Sequence, residues 1–328
     1  MTALDQIGNT PLIRFSGEVP NNNRIYLKLE CDNPFGSHYD RVYLKLFKHF
    51  EEQGLLRPGA TVLETTSGSA GVSFAGIGAL LGYRCLVAIP EGGEKAREDA
   101  IRRAGGELLF TPAESYVSGF PRFAARFLVK NRDVVFLNHS MGPNGTENRV
   151  TVEALGAIGT EIRREIGSPD WFIPAVGNGS SVLGPARALR PRTAIMTFES
   201  FQSGVAHEML YPGQYERKYG IAPGSLPRHQ LPGTSFIGID FPHIRLALEK
   251  ERLVCRTALV SDARTDEQYT ALTGRCVPCD IPRWDSIQLP PYGRSTRAGL
   301  AVALQLASTE RDRNIVLIAY DKEDRYDT

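Results

Sequence analysis

Two hydrophobic periods alternate along the chain. Ile25-Tyr26-Leu27-Lys28-Leu29-Glu30 has period two, which predicts a strand, and it runs into the turn Asn33-Pro34-Phe35-Gly36. From Asp40 to Gln53 the apolar positions are 42, 43, 46, 47 and 50, a helical spacing, with Ser37 placed as an N-cap and Gly54 and Pro58 as the stop. The alternation then repeats. Strands are expected at Thr61 to Glu64, Cys85 to Pro90, Glu107 to Phe110 and Val134 to Leu137, with helices from Ala70 to Leu81, Glu94 to Ala104 and Phe120 to Asn131. A longer helix, Asn148 to Ile166, leads to strands at Trp171 to Val176, Ala194 to Glu199 and Ile315 to Ala319, and to helices at Val182 to Leu189 and Ala298 to Ala307.

Strands that alternate with helices this regularly predict an α/β chain whose parallel sheets are covered on both faces. Tyr211 to Pro232 is the least regular stretch and is expected to be a long surface excursion. No repeat, low-complexity tract or linker interrupts the pattern.

Composition narrows the function classes. The chain has 328 residues, 42% hydrophobic and 23% charged, enough for two cores or one large unit with a subdomain. A formal net charge of +1, with basic residues dispersed among acids, argues against nucleic-acid or membrane partners. No apolar run is long enough to span a bilayer, and the opening Met1 to Asp5 lacks the features of a signal peptide, so the expected location is the cytoplasm. Five cysteines, an odd number, fit reduced thiols. The pair in Cys276-Val277-Pro278-Cys279 fits surface thiols, a reversible disulfide or half a zinc site. A zinc site would need further ligands, of which Cys255 is one candidate, and no metal is expected.

Three loops at predicted strand ends carry the candidate chemistry. Gly177-Asn178-Gly179-Ser180-Ser181 lies between a strand and a helix, where successive N–H groups and a helix start attract an anion. Thr65 to Gly71 repeats that logic with hydroxyls suited to a carboxylate. Gly293 to Gly299 opens the late helix, with a hydroxyl expected to cap it. Each alone also reads as a capped helix start or tight βα turn with no ligand, and for the second and third loops local pattern favours that plainer reading. Together they sit where open parallel sheets bind ligands.

In chain order these segments resemble one family. The opening Ile7-Gly8-Asn9-Thr10-Pro11-Leu12, then Lys28-Leu29-Glu30, Asn33 to Arg41, Thr66 to Gly71, Pro90-Glu91 with Lys95 to Gly106, Gly177 to Ser181, Ile237 to Pro242 and Gly293 to Ala298 resemble the motifs of cysteine synthases and cystathionine β-synthases. The resemblance implies the fold type II architecture of pyridoxal-phosphate (PLP) enzymes, similar to tryptophan synthase β: two parallel-sheet domains with the site between them. It implies a smaller domain at 39–148, a larger one made of 1–38 and 149–328, and a homodimer acting on a small amino-acid-like ligand. It further implies a phosphate cup at Gly177, Asn178, Gly179, Ser180 and Ser181, and a carboxylate loop at Thr66, Ser67, Gly68, Ser69 and Ala70, with Ser69 also near the cofactor. The hydroxyl for the pyridine nitrogen falls on Ser295 or Thr296.

The departures from that pattern matter as much. The family's Schiff-base lysine falls on Tyr39, and a phenol cannot form an imine. Lys45 and Lys48 lie roughly 9 to 14 Å further along the helix and are poor substitutes. His38 beside Tyr39 is read either as an acid or base near neutral pH or as a helix-start histidine. Ser69 replaces an asparagine, Asp240 replaces a small residue, and Arg294 and Arg297 flank the pyridine hydroxyl, where they could block part of the pocket, meet an extra acidic group on a substrate or face solvent. The expectation is therefore non-covalent PLP, or a PLP–amino acid adduct, serving β-elimination, β-replacement or a related lyase step with His38 or Tyr39 moving the proton. The alternatives are a binding or regulatory pseudoenzyme, or an enzyme that takes another phosphorylated ligand in the same cup.

Overall fold

The computed structural model describes residues 2–227, 230–231, 233–234 and 238–327. Ile237 of the stretch 237–242, and Arg228, His229 and Pro232 of the expected excursion, lie outside the described residues.

Its strands are β1 (Leu12–Arg14), β2 (Arg24–Lys28), β3 (Thr61–Thr65), β4 (Arg84–Pro90), β5 (Gly106–Thr111), β6 (Val135–Phe136), β7 (Trp171–Ile173), β8 (Ala194–Ser200), β9 (Val254–Val260) and β10 (Asn314–Ile318). They form a four-stranded sheet in the order β5-β4-β3-β6 and a six-stranded sheet in the order β1-β2-β10-β7-β8-β9. All neighbours are parallel except the edge pair β1–β2. The central strands β3, β4, β7 and β10 are buried along most of their length, which is why they read as short apolar runs and not as alternating ones.

The helices are α1 (Tyr39–Glu52), α2 (Ala70–Leu80), α3 (Lys95–Arg103), α4 (Phe120–Lys130), α5 (Arg149–Ile166), α6 (Ser180–Leu189), α7 (Val205–Leu210), α8 (Gln214–Tyr219), α9 (Pro242–Arg245), α10 (Ala263–Thr273) and α11 (Arg294–Thr309). None is long and apolar enough to cross a membrane. Each sheet has one place where chain order reverses. In the smaller sheet it lies between β3 and β6, in the larger between β7 and β10. Crevices at the carboxyl ends of such strand pairs are where open α/β sheets take ligands, and both of these crevices open onto one cavity.

A buried ionic network ties the two halves together. Arg41 on α1 makes paired hydrogen bonds to Glu30 at 2.8 Å each and to Glu161 on α5 at 2.6 and 2.8 Å. Lys28, with no exposed side-chain surface, meets Glu161 at 2.8 Å and Glu165 at 3.1 Å. Glu161 is thus held by two cations. Burial alone would raise its pKa, but the bonds from Arg41 and Lys28 outweigh that and hold it down at about 2. Helices α5 and α6 pack nearly backbone to backbone: a Cβ at Gly184 would lie 2.4 Å from the carbonyl oxygen of Val152.

Several expectations need correction. The N-cap of α1 is His38, one residue later than expected, although the Ser37 hydroxyl accepts the Tyr39 N–H at 3.2 Å. The late helix starts at Arg294 behind Gly293, with no side-chain cap, because the hydroxyl of Thr296 instead accepts the Tyr320 N–H at 3.1 Å. Strand β9 was not foreseen. The stretch from Tyr211 is exposed over most of its described residues but is anchored in a way not expected: Tyr215 and Tyr219 of α8 are buried with Phe201, Tyr269 and Ile281 in a second apolar cluster. There the Tyr269 hydroxyl donates to the carbonyl of Tyr219 at 2.7 Å, so aromatic bulk and satisfied hydroxyls supply a core that no periodic run announces.

Candidate active site

The cavity, about 170 Å³, is walled by the loops that follow β3, β6, β7 and β10, by the start of α1, and by Ser295 at the start of α11. Of the residues expected at the site, His38, Tyr39, Thr66, Ser67, Gly68, Ser69, Ala70, Gly177, Asn178, Ser181 and Ser295 line it together. Gly179, Ser180, Thr296, Arg294 and Arg297 do not.

The reasons are local. Gly179 has φ 91° and packs on the chain at His243 and Ile244, where a Cβ would come within 2.5 Å of the Ile244 nitrogen. Ser180 is fully buried, and both its N–H and its hydroxyl donate to the Asn178 side-chain oxygen, at 2.9 and 2.6 Å. Arg294 pairs with Glu94 at 2.7 Å and lies 4.7 Å over the Tyr326 ring. Arg297 donates to the carbonyls of Ile287 and Asp285 at 2.7 and 3.1 Å and covers Trp284. The expectation that these two arginines meet a substrate acid is therefore corrected: their guanidinium groups are bonded within the protein, and neither lines the cavity. Asp240 is exposed and bonds Arg245 at 2.5 Å. Cys255, Cys276 and Cys279 are free and exposed.

At the head of α1 four rings meet. His38 lies 4.1 Å from Tyr39 and edge-on to Tyr320 at 5.2 Å, and Tyr39 lies edge-on to His139 at 5.1 Å. His38 Nε2 shares a hydrogen bond of 3.0 Å with the Ser181 hydroxyl. Burial, reinforced by the nearby charges of His139 and Arg41, pushes the His38 imidazole down to about 3. It is neutral at pH 7, which corrects the reading of His38 as an acid or base near neutrality and matches that of a helix-start histidine in a buried hydrogen bond. Burial, and the charge of Glu64, push the Tyr39 phenol up from its ordinary value. No hydrogen-bond partner for the Tyr39 hydroxyl exists among the described residues.

The carboxylate-type loop is held from both sides. Gly68 N–H donates to the Thr66 hydroxyl at 3.1 Å, and the Ser69 hydroxyl donates to Asp321 at 2.7 Å. Asp321 also accepts from the Tyr326 hydroxyl at 3.0 Å, and burial raises its carboxyl pKa against the pull of Arg97. The loop leads into α2 and closes its first turn: the N–H groups of Gly71 and Val72 donate to the carbonyls of Gly68 and Ser69 at 3.1 and 3.2 Å.

Sequence reasoning missed Arg97, Asn138, His139, Met141, Tyr320 and Asp321, all of which line the cavity. The residues after β6 and after β10 stand at carboxyl ends of predicted strands, so the rule that placed the other loops could have placed these. Arg97 sits mid-turn on a charged helix, where nothing in the pattern distinguishes it from its neighbours.

Comparison with known proteins agrees with this geometry. Residues 3–215 match the family model described as "Pyridoxal-phosphate dependent enzyme". A "Probable cysteine synthase" of Bacillus subtilis (strain 168) is 30% identical over 236 residues, covering 70% of this chain and 70% of that protein. "Cysteine synthase B" of Salmonella typhimurium is 31% identical over 222 residues, 66% of this chain and 71% of that one. The crystal structure of a hydrogen sulfide-producing enzyme from Fusobacterium nucleatum superimposes with a TM-score of 0.78 at 22% identity, covering 99% of each chain, which shows the shared fold.

The residues present do not fit PLP as a tethered group. Among the described residues no lysine lines the cavity. Lys28 is buried in the Glu161 network and Lys45 is paired with Glu153 at the surface. The cup's side-chain donors are also engaged, Ser180 by Asn178 and Ser181 by His38.

Proposed function

This chain belongs to the pyridoxal-phosphate dependent enzyme family, among relatives that are cysteine synthases, and from that premise we propose that it holds a small amino-acid-like anion in its cleft without forming an imine to it or to PLP. In this reading Tyr39 stands where relatives carry the Schiff-base lysine, and the protein serves as a binding or regulatory member of the family. The observation that carries the reading is one cavity that combines a hydroxyl-rich carboxylate loop with, among the described residues, no primary amine.

The protein's own groups have clear parts. Thr66, Ser67 and Ser69, with the loop N–H groups, would take the carboxylate through several donors at once. Val117, Phe120, Phe136, Met141 and Phe241 would exclude water from the remainder of the ligand. Tyr39, held as a neutral phenol, can donate one hydrogen bond to whatever lies against it.

A second reading keeps the protein an enzyme that performs a lyase or transferase step on PLP, or on a PLP–amino acid adduct, held non-covalently. What favours it is that Ser181 and Ser295 face the same cavity as the carboxylate loop. The test is to incubate the purified protein with PLP, reduce with borohydride, and weigh the intact chain and its peptides. The first reading expects no PLP mass on any cavity peptide and no ligand kept through dialysis. PLP kept through dialysis without a mass adduct would favour the second reading, and an adduct within the cleft would overturn both.

A further inference from the structure

Buried charges in proteins are paired, because an uncompensated ion in a low-dielectric interior is costly. Arg41, Lys28 and Glu161 obey this rule. Arg97 does not. It is 6% exposed, yet no carboxylate lies within ion-pair distance of it among the described residues. One terminal nitrogen donates to the carbonyl of Ser67 at 3.3 Å, and its buried Nε has no partner. Its plane rests 4.6 Å over the Tyr326 ring, a contact that orients the group without neutralising it.

Arg97 also stands at a particular place. It lines the main cavity and a second, adjoining cavity of about 300 Å³, which share Ser67 and Gly68 as their partition. A Cβ on Gly68 would lie 3.8 Å from the terminal nitrogen, so the guanidinium packs directly against the loop at Gly68. The acids beside the second cavity are committed elsewhere, Glu94 to Arg294 and Glu98 to Arg102. Asp321, the acid of the main cavity, attracts Arg97 only from beyond ion-pair distance and takes its hydrogen bonds from Ser69 and Tyr326 instead.

We propose that Arg97 is the counter-charge of the cleft's ligand: a small carboxylate or sulfate-like anion at the Thr66–Ala70 loop completes the ion pair that the protein leaves open. This rests on the reading that the cleft binds an amino-acid-like anion, and it assigns the recognition of that anion to a guanidinium behind the loop, where loop hydroxyls and N–H groups alone would otherwise carry it. Given the apolar wall, the class of ligand is a small apolar carboxylic acid.

Calorimetric titration with L-methionine, with L-methioninol (the same side chain without the carboxylate) and with sodium sulfate tests this on the wild-type protein, Arg97→Gln and Arg97→Lys. The expected result is that L-methionine and sulfate bind the wild type and methioninol does not. Arg97→Gln should weaken both anions by at least about tenfold, the scale of one charge-assisted hydrogen bond, and Arg97→Lys should recover most of that loss. The wild-type comparison of methionine with methioninol keeps the test decisive if Arg97→Gln fails to fold: equal binding of the two counts against the proposal. L-Methionine bound equally well by Arg97→Gln would overturn it while leaving the cleft's amino-acid reading in place. Sulfate binding that depends on Arg97, with no amino acid bound, would support the anion site and overturn the amino-acid reading. No binding of either anion would overturn the proposal.

Discussion

A phenol and an imidazole, side by side at residues 38 and 39, decide what the cleft can do. Both are neutral at physiological pH, since burial disfavours the charged form of each. For His38 the folded value, about 3, lies below the ordinary 6.5. Its contribution to stability is therefore present above about 6.5 and is lost as pH falls towards 3, because the unfolded chain takes up a proton that the folded chain refuses. A His38→Val variant should accordingly gain stability relative to the wild type, by about 1.4 kcal/mol for each pH unit between roughly 6 and 4. Urea unfolding of both proteins at pH 7, 6 and 5 measures this, and parallel pH profiles would show that the imidazole is not held neutral. The same substitution frees the Ser181 hydroxyl.

Among elements, the contact between α1 and α5 rests on charge and that between α5 and α6 on glycine. Removing one partner of a buried ion pair leaves the other uncompensated, so Glu161→Ala should cost about 3–5 kcal/mol, read from the shift in denaturant midpoint. Because its folded pKa is depressed, the stabilisation from Glu161 is complete above about 4.5 and is lost as pH falls through about 2. Gly184→Ala should cost about 1–3 kcal/mol by forcing the two helices apart; a variant as stable as the wild type would mean that α5 and α6 can separate freely.

This is also the scale at which the sequence was most legible. Strands β3 and β4 and helices α1, α4 and α5 stood out because one periodic run coincides with one element. Strand β9 did not, since Arg256 and Thr257 interrupt its apolar run and no glycine-rich turn marks its end. Helix α8 escaped for a different reason: Tyr215 and Tyr219 form its buried face, and tyrosine carries little hydrophobic signal. Helix α7 is only six residues long and buries just Ala206 and His207, too short a run to show a period. In the site, the loops legible in sequence were those with glycine and hydroxyl signatures. Arg97 became visible only when the fold brought α3 against the Thr66–Ala70 loop.

At the scale of the molecule, the segment after β10 crosses from one half to the other. The carboxylate of Asp327 accepts the N–H groups of Lys95 and Ala96 at 2.8 Å each, capping α3, and the Asp327 N–H donates to Glu94 at 2.8 Å. Asp327→Ala should lower stability by about 0.5–2 kcal/mol, the usual effect of losing a cap. Amide exchange should speed up at the start of α3 and not in α5. Uniform acceleration would mean that the cap acts globally.

The two tryptophans tell the halves apart. Trp171 belongs to β7, and Trp284 lies under Arg297, so both indoles report from the side built on the six-stranded sheet. Emission intensity is therefore blind to the side built on β3–β6, and a fluorescence melting curve registers only part of the molecule. If the smaller side loosens first, circular dichroism will begin to fall while the indoles still glow as in the intact protein, and the gap between the two curves measures how independently the halves come undone.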